Sequence, residues 1–399
     1  MNVAVKCLAL SVALLAVPSA FADEREEAGR NRVVNCDRGD SLNRALSKIL
    51  SLPGSTIVVR VKGVCRESIM INKDGLTLEG EHASIDGNGK DAVTINGAQR
   101  VTLRGFTIRN GGSGVVGKGG ASFSLLDSVV SGHAAMGVVL TGHSAAVISD
   151  TVVEKNGVNG VEANDHSQVR IVSRFVSRGN AIFGINVLNG SSITFSKTTA
   201  EISNNILGVQ IGIGSSAFIE DAQTVVTTSN NQTIGFTAAS TSTLFIFEGA
   251  LVAENNRGLD GVALFSNSSA DLDRGASITT KNNGRDGVLL EDSSLNIFTM
   301  PGLTGPKITT LDNGRHGVSA LLGSKVDLSG RGQLNSQGNK TTGIFADNGS
   351  VLRISGSTLM NNGTDVVLQF GTRAEFATTQ IGSISCDRTV LIRGEVTCP

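Results

Sequence analysis

Gly184-Ile185-Asn186-Val187, then Asn189-Gly190-Ser191, then Ile193-Thr194-Phe195, then a run from Thr198 to Ile202 closing on Asn204-Asn205: this stretch decides the fold. Each apolar piece alternates with polar residues, the period of a β-strand. Clusters of Gly, Ser and Asn separate the pieces, and none is long enough for a helix. The unit then returns. Its anchor, a glycine followed by an apolar residue, stands at Gly114-Val115, Gly137-Val138, Gly160-Val161, Gly184-Ile185, Gly208-Val209, Gly235-Phe236, Gly261-Val262, Gly287-Val288, Gly317-Val318 and Gly343-Ile344. Successive anchors lie 23, 23, 24, 24, 27, 26, 26, 30 and 26 residues apart. A period of that size marks one supersecondary unit stacked many times.

Three short strands per unit, stacked in register, predict an all-β, single-stranded solenoid of about a dozen coils with three parallel sheets around a narrow apolar core. The inward pairs after the anchor are Val161/Ala163, Ile185/Val187, Val209/Ile211, Phe236/Ala238, Val262/Leu264, Val288/Leu290, Val318/Ala320 and Ile344/Ala346. The residues between them, Glu162, Asn186, Gln210, Thr237, Ala263, Leu289, Ser319 and Phe345, are expected to face solvent. A second strand after a serine-rich turn places Val169/Ile171, Ile193/Phe195, Ala217/Ile219, Leu244/Ile246, Ala270/Leu272, Leu295/Ile297 and Val326/Leu328 inward. Asn180, Asn205, Asn231, Asn256, Asn283, Asn313, Asn339 and Asn362 recur with the coil. Asparagine tolerates the left-handed backbone of a sharp corner, and stacked amides can bond up a ladder, so these residues are read as structural.

The ends carry their own signals. Residues 1–22 have the form of a secretory signal peptide: Lys6, an apolar run from Leu8 to Val17, then Ala20-Phe21-Ala22. The apolar run is about 10 residues where a membrane span needs about 20. No later segment is apolar enough to cross a bilayer, so export to the periplasm or beyond is expected. Residues 23–399 then form one β-helix domain, with an N-terminal cap over 33–75 and a C-terminal cap over 380–399. Leu42, Ala45, Leu46, Ile49 and Leu50 fall on one face of a helix expected from Ser41 to Leu52, capped by Asp40 or Ser41. Four cysteines remain after cleavage. A disulfide needs Cα atoms within about 7 Å, and the stacked coils hold the two ends far apart, so Cys36–Cys65 and Cys386–Cys398 are the expected pairs.

The N-terminal stretch resembles the opening of right-handed parallel β-helix proteins of the pectate-lyase-like superfamily. The residues that carry the resemblance are the helix with Leu42 and Leu46, Pro53-Gly54-Ser55-Thr56-Ile57, Leu76-Thr77-Leu78-Glu79-Gly80 and Ile85-Asp86-Gly87-Asn88-Gly89. Arg104-Gly105-Phe106-Thr107-Ile108 and Asn110-Gly111-Gly112 follow in the same order. The resemblance implies a right-handed coil. It leaves activity open, because this fold serves lyases, hydrolases, epimerases and plain surface proteins. The site motifs of the family's polygalacturonases (Asn-Thr-Asp, Asp-Asp, Gly-His-Gly, Arg-Ile-Lys) and the Asp-Pro-His-Glu of its alginate epimerases do not occur here.

Stacking offers other candidates. Asp260, Asp286 and His316 each precede an anchor glycine, with Arg285 and Arg315 beside the last two. A column of two carboxylates about 5 Å apart is the arrangement of a retaining glycosidase, and also of a solvated charged corner. His143 and His166 lie 23 residues apart and form a two-histidine metal candidate without an evident third ligand. Asp86-Gly87-Asn88-Gly89-Lys90-Asp91 mimics part of a calcium loop but lacks its closing glutamate, so no cofactor is assigned. Phe218, Phe245, Phe247 and Phe298 fall near outward positions, and a register slip is expected to bury at least two of them.

The chain has 15 Phe but no Trp and no Tyr, the rings sugar sites use most, and its even coil lengths leave few loops to wall a deep cleft. A formal net charge of −1, or −2 once Lys6 is removed, predicts no electrostatic pull toward nucleic acid or anionic membrane. Two functions follow. The first is a non-catalytic exported module contacting a polysaccharide, matrix or cell-surface component. The alternative is a polysaccharide lyase or glycoside hydrolase.

Overall fold

The computed structural model describes residues 31–49, 56–299, 302–329 and 331–399. The leader expected over 1–22, Leu50 and the Pro53-Gly54-Ser55 turn lie outside them. The chain winds as a parallel β-solenoid. One face is a sheet of 14 strands, from Ile69–Ile71 to Ile384–Cys386, each parallel to the strand one coil away. That is 14 coils, slightly more than the anchor glycines alone mark out, because the pattern extends upstream through Val93 and Ile69 and downstream through Val366 and Ile384. The other two faces merge into a single 24-stranded sheet. In the early coils one long strand, such as Ser192–Ser203, bends through both faces; later coils break it, as in Ser216–Glu220 and Val225–Ser229.

The register follows the anchors. Val115, Val138, Val161, Ile185, Val209, Phe236, Val262, Val288, Val318 and Ile344 are direct Cα partners in sequence. Every inward residue named above for the first two strands is buried. The glycines are required by crowding. A Cβ on Gly235 would lie 2.6 Å from Asn256 Nδ2 and 2.7 Å from the carbonyl oxygen of Gly261, the next anchor.

Two polar ladders close the corners. Ladder asparagines from Asn156 to Asn339 donate Nδ2 to Oδ1 of the next rung at 2.8–3.2 Å. The same Oδ1 accepts the backbone N–H of the rung before, at 2.9–3.2 Å. The left-handed corner falls on the residue before each rung: Asn204 (φ 57°), Asn230 (55°), Asn255 (56°) and Asn282 (53°). In each Asn-Asn pair the first residue therefore turns the chain and the second bonds along the axis. His133 starts the ladder, its Nδ1 accepting from the Gly111 N–H at 3.0 Å and its Nε2 facing the Ile108 carbonyl at 3.1 Å. A parallel serine ladder runs at the next corner, where the N–H of Ser144, Ser167, Ser191, Ser215, Ser242, Ser268 and Ser293 each meets the hydroxyl one coil on.

At the first end the helix spans Leu42–Ser47, shorter than its apolar spacing suggested. Ser41 caps it, accepting from the Arg44 N–H, and Glu67 accepts from the Ser41 hydroxyl at 2.9 Å. Leu42, Ala45, Leu46 and Ile49 are buried against the first coil. Both expected disulfides are formed, Cys36–Cys65 and Cys386–Cys398. Residues 380–394 pair parallel to the preceding coil and so extend the solenoid.

One expectation for the first face fails. Asn186, Thr237, Ala263, Leu289 and Ser319 point away from the core yet are buried. For Ala263 and Leu289 the cause is a second apolar cluster on the outside of this sheet, in which Leu207, Ile234, Leu259, Phe265 and Leu321 pack with them.

Candidate functional site

The acidic column stands beside that covered face, one residue before each anchor glycine. Asp260 and Asp286 are wholly buried and His316 nearly so. Each carboxylate is engaged by the coil that follows. Asp260 accepts from Arg285 Nε at 2.8 Å and Nη2 at 2.5 Å, and from the Asp286 N–H at 3.0 Å. Asp286 repeats the pattern, accepting from Arg315 Nε at 2.7 Å, from Arg315 Nη2, and from the His316 N–H at 3.2 Å. Thr342 Oγ1 then meets His316 Nδ1 at 2.6 Å, and the imidazole stacks on Phe345 with ring centroids 4.8 Å apart.

The electrostatics follow from burial. Burial pushes the Asp260 carboxyl up, and the nearby Asp286 charge adds to this; the Arg285 guanidinium opposes both. Bonding to the two carboxylates holds Arg285 and Arg315 above the ordinary arginine value. The bidentate donors and a backbone N–H on each acid identify its oxygens as acceptors, so the groups sit as ion pairs. Burial drives His316 down to about 4, helped by Arg315 and Arg285 against Asp286, so its ring is neutral at pH 7. A glycosidase pair needs one carboxyl free to protonate a leaving oxygen and another facing the sugar. Here both carboxylates are turned into the stack, where they order successive coils.

The other sequence candidates are dispersed: His143, Asp165 and His166 are exposed, and Asp86 and Asp91 are half-buried. His143 and His166 stack face to face, centroids 5.3 Å apart and planes within 9°. Parallel rings direct their nitrogens alongside one another, away from a shared point between them. The neighbouring Asp165 accepts from the Thr141 hydroxyl at 2.8 Å. Asp86 accepts from Asn110 Nδ2 and the Asn88 N–H, and Asp91 from the Ser113 N–H. Among the described residues no three His, Cys, Asp or Glu side chains gather as metal ligands.

A feature that sequence reasoning missed lies on the second face. Its outward side chains over residues 100–194 floor a shallow open groove of about 550 Å³. Register places Thr102, Ser124, Val147, Arg170 and Thr194 in one column. Arg100 leads the adjacent column, followed by Ser122, Ala145, Gln168 and Ser192. Both arginines are exposed, and among the described residues neither lies within ion-pair distance of a carboxylate. Arg170 instead donates to Ser196 Oγ at 3.1 Å. Ser196 in turn donates to Asp221 Oδ2 at 2.7 Å. Elsewhere on the solenoid surface Arg104, Arg178 and Arg353 are each paired with an acid, while Arg174, Arg373 and Arg393 are exposed and, among the described residues, also lie outside ion-pair distance of a carboxylate; what sets Arg100 and Arg170 apart is the groove they share. Small side chains at outward positions look like ordinary strand surface in a sequence; only the register sets them between two guanidiniums that lack a direct carboxylate partner.

The phenylalanines also differ from expectation. Phe218, Phe245 and Phe247 are half-buried and Phe298 is 59% exposed, all on the outward side, because no register slip occurs and Ala217, Leu244, Ile246 and Ile297 keep the inward slots. No helix among the described residues is long and apolar enough to cross a membrane.

A family model described as "Right handed beta helix region" matches residues 54–205. Among solved structures, a periplasmic alginate epimerase, AlgG, is similar at 15% identity and a TM-score of 0.51, over 88% of this chain and 83% of that one. The A-module of the mannuronan C-5 epimerase AlgE6 of Azotobacter vinelandii is similar at 12% identity and a TM-score of 0.47, over 91% of this chain and 100% of that one. No curated protein matches. At 15% identity the likeness to AlgG is one of fold, and the right-handed sense of the solenoid is that of the matching family model.

Proposed function

We propose that this right-handed parallel β-helix protein is exported and acts as a non-catalytic module that holds an acidic polysaccharide along the outer groove of its second face. The observation that carries the reading is the pair of arginines without an ion-pair partner, Arg100 and Arg170, set three rungs apart over a floor of small side chains, the hydroxyls of Thr102, Ser122 and Ser124 followed by Ala145 and Val147. At the strand spacing that is roughly 14 Å. A guanidinium grips a carboxylate through two parallel N–H bonds, and hydroxyls between two such grips suit sugar hydroxyls. A near-neutral chain provides no long-range field, so the contact is local. The two disulfides fit an oxidising compartment. The fold likeness to a protein named for acting on alginate supports a polysaccharide as the ligand class.

The second reading is a lyase or hydrolase of the pectate-lyase-like superfamily, with the same likeness in its favour. Its site would be Asp260, Asp286 and His316 with Arg285 and Arg315, and it requires the two ion pairs to open.

Isothermal titration with alginate, polygalacturonate and neutral dextran tests the proposal, with the ultraviolet absorbance of unsaturated uronates followed in parallel. Binding of the two polyuronates, weakened in an Arg100→Ala/Arg170→Ala variant and without new absorbance, is the expected result. No polyuronate binding at low salt overturns it. Product formation that Asp286→Asn abolishes, in a variant whose circular dichroism and thermal unfolding show it still folded, would establish the second reading instead.

A further inference from the structure

The groove does not stop at Thr194. In register, Thr194 pairs with Phe218 and Phe218 with Phe245, so the column that holds Arg170 runs directly onto two aromatic rings. Their centroids are 6.3 Å apart and their planes tilt by 33°. Both project from strands whose alternate residues fill the core, so their free surface lies on the same side as the Arg170 guanidinium. Phe247 adds a third outward ring on the same strand, with the Arg274 guanidinium 4.4 Å above it. One rung further the character changes: Asp271 follows Phe245 and Asp273 follows Phe247.

We infer that Phe218 and Phe245 form a stacking subsite for a sugar ring of the same acidic polysaccharide, making one binding track from Arg100 to Phe245. The inference rests on the polysaccharide-binding reading above. A pyranose ring has an apolar face of C–H groups and a rim of polar substituents. The apolar face packs on an aromatic face while the rim stays in water or meets polar side chains. A chain lying along the solenoid axis with carboxylates at Arg100 and Arg170 brings its next sugars over Thr194 and then over Phe218 and Phe245. The column Thr102, Ser124, Val147, Arg170, Thr194, Phe218, Phe245 has six steps, or roughly 29 Å at the strand spacing. Asp271 ends the track, since its carboxylate, held by Asn296 Nδ2 at 2.9 Å, repels an acidic sugar one rung on.

The two halves of the track respond differently to salt. Guanidinium–carboxylate contacts at the surface weaken with ionic strength, whereas ring stacking does not. The chain contains no Trp, so Phe245→Trp introduces a single fluorophore on the platform. Alginate oligosaccharides longer than the track and alginate dimers serve as probes. The expected result is a shift in Trp emission with the long oligosaccharide that persists in high salt longer than the Arg170 contribution. Phe218→Ala/Phe245→Ala should lose affinity by about threefold to tenfold. If the wild-type protein binds no alginate, the polysaccharide-binding reading falls and takes this inference with it. If it binds but the Trp emission is unmoved and the alanine variant binds equally well, the stacking subsite alone is overturned. The Trp signal decides the matter even where the double alanine variant folds poorly.

Discussion

The carboxylate of Asp286 is completed by Arg315 of the next coil, whose Nε meets Oδ1 at 2.7 Å while Nη2 meets Oδ2. Asp260 and Arg285 form the same pair one coil earlier. A buried ion pair contributes little net stability, but stranding one of its charges is costly. Arg315→Ala is therefore expected to destabilise the protein by about 3 kcal/mol, because wholly buried Asp286 loses its partner. Replacing both, as Asp286→Leu with Arg315→Met, should return part of that loss, since no buried charge is stranded while the His316 N–H still loses its acceptor. Urea denaturation of the single and double variants checks this; a single variant as stable as the wild type would mean that Asp286 is not held by this pair.

Asn256 sits in the middle of the ladder, and its side chain serves three neighbours. Oδ1 accepts from the Asn231 N–H and Nδ2, and Nδ2 donates to Asn283 Oδ1 and the Thr228 carbonyl. Asn256→Ala leaves the buried Asn231 N–H without an acceptor, at a cost of about 1–3 kcal/mol, and the lost ladder bonds add to it. Asn362, at the last rung and partly exposed, should tolerate the same change better. Thermal unfolding of the two alanine variants, with the larger drop for Asn256, is the expected outcome.

These features differ in how visible they are in the sequence. Val262 and Leu264 announce their burial through alternation, and the glycine before them fixes register because only a glycine fits beneath the next carbonyl. The asparagine ladder shows through its period. Ala263 and Leu289 mislead: alternation places them outward, correctly, but what covers them comes from Ile234 and Phe265 on neighbouring coils, and lateral cover leaves no periodic trace. Stacking alone points to Asp260 and Asp286. Their closure depended on Arg285 and Arg315 reaching back one coil, a side-chain direction that spacing does not encode. Arg100 and Arg170 stand 70 residues apart in sequence and carry no motif; their shared groove exists only because the coils bring them within three rungs of each other.

His316 makes stability depend on pH. Its ordinary value is 6.5 and burial lowers it to about 4 in the folded protein. Below pH 6.5 the unfolded chain takes up a proton that the folded chain refuses, so stability is full above 6.5 and is lost as pH falls toward 4. From this residue alone the loss at pH 5 is about 2 kcal/mol. His133, also lowered mainly by burial, acts in the same direction. His316→Gln should flatten the profile between pH 7 and 5 in thermal unfolding. An equally steep profile would place the dependence on other groups.

Salt separates a specific groove from diffuse attraction. Arg170 has no acidic neighbour within ion-pair range among the described residues, whereas Arg353, on the same outer face, is already held by Asp327 at 3.4 Å. Arg170→Ala should weaken alginate binding by roughly 1 kcal/mol, about fivefold, at low ionic strength. The difference should shrink as salt rises toward about 1 M, where the screening length falls to about 3 Å. Arg353→Ala removes the same formal charge but a guanidinium whose partner is already in place, so its binding curve should overlay that of the wild type. Titrations of the three proteins at two salt concentrations distinguish the cases. If both variants lose affinity equally, the polysaccharide responds to overall charge and the groove between Arg100 and Arg170 has no special claim on it.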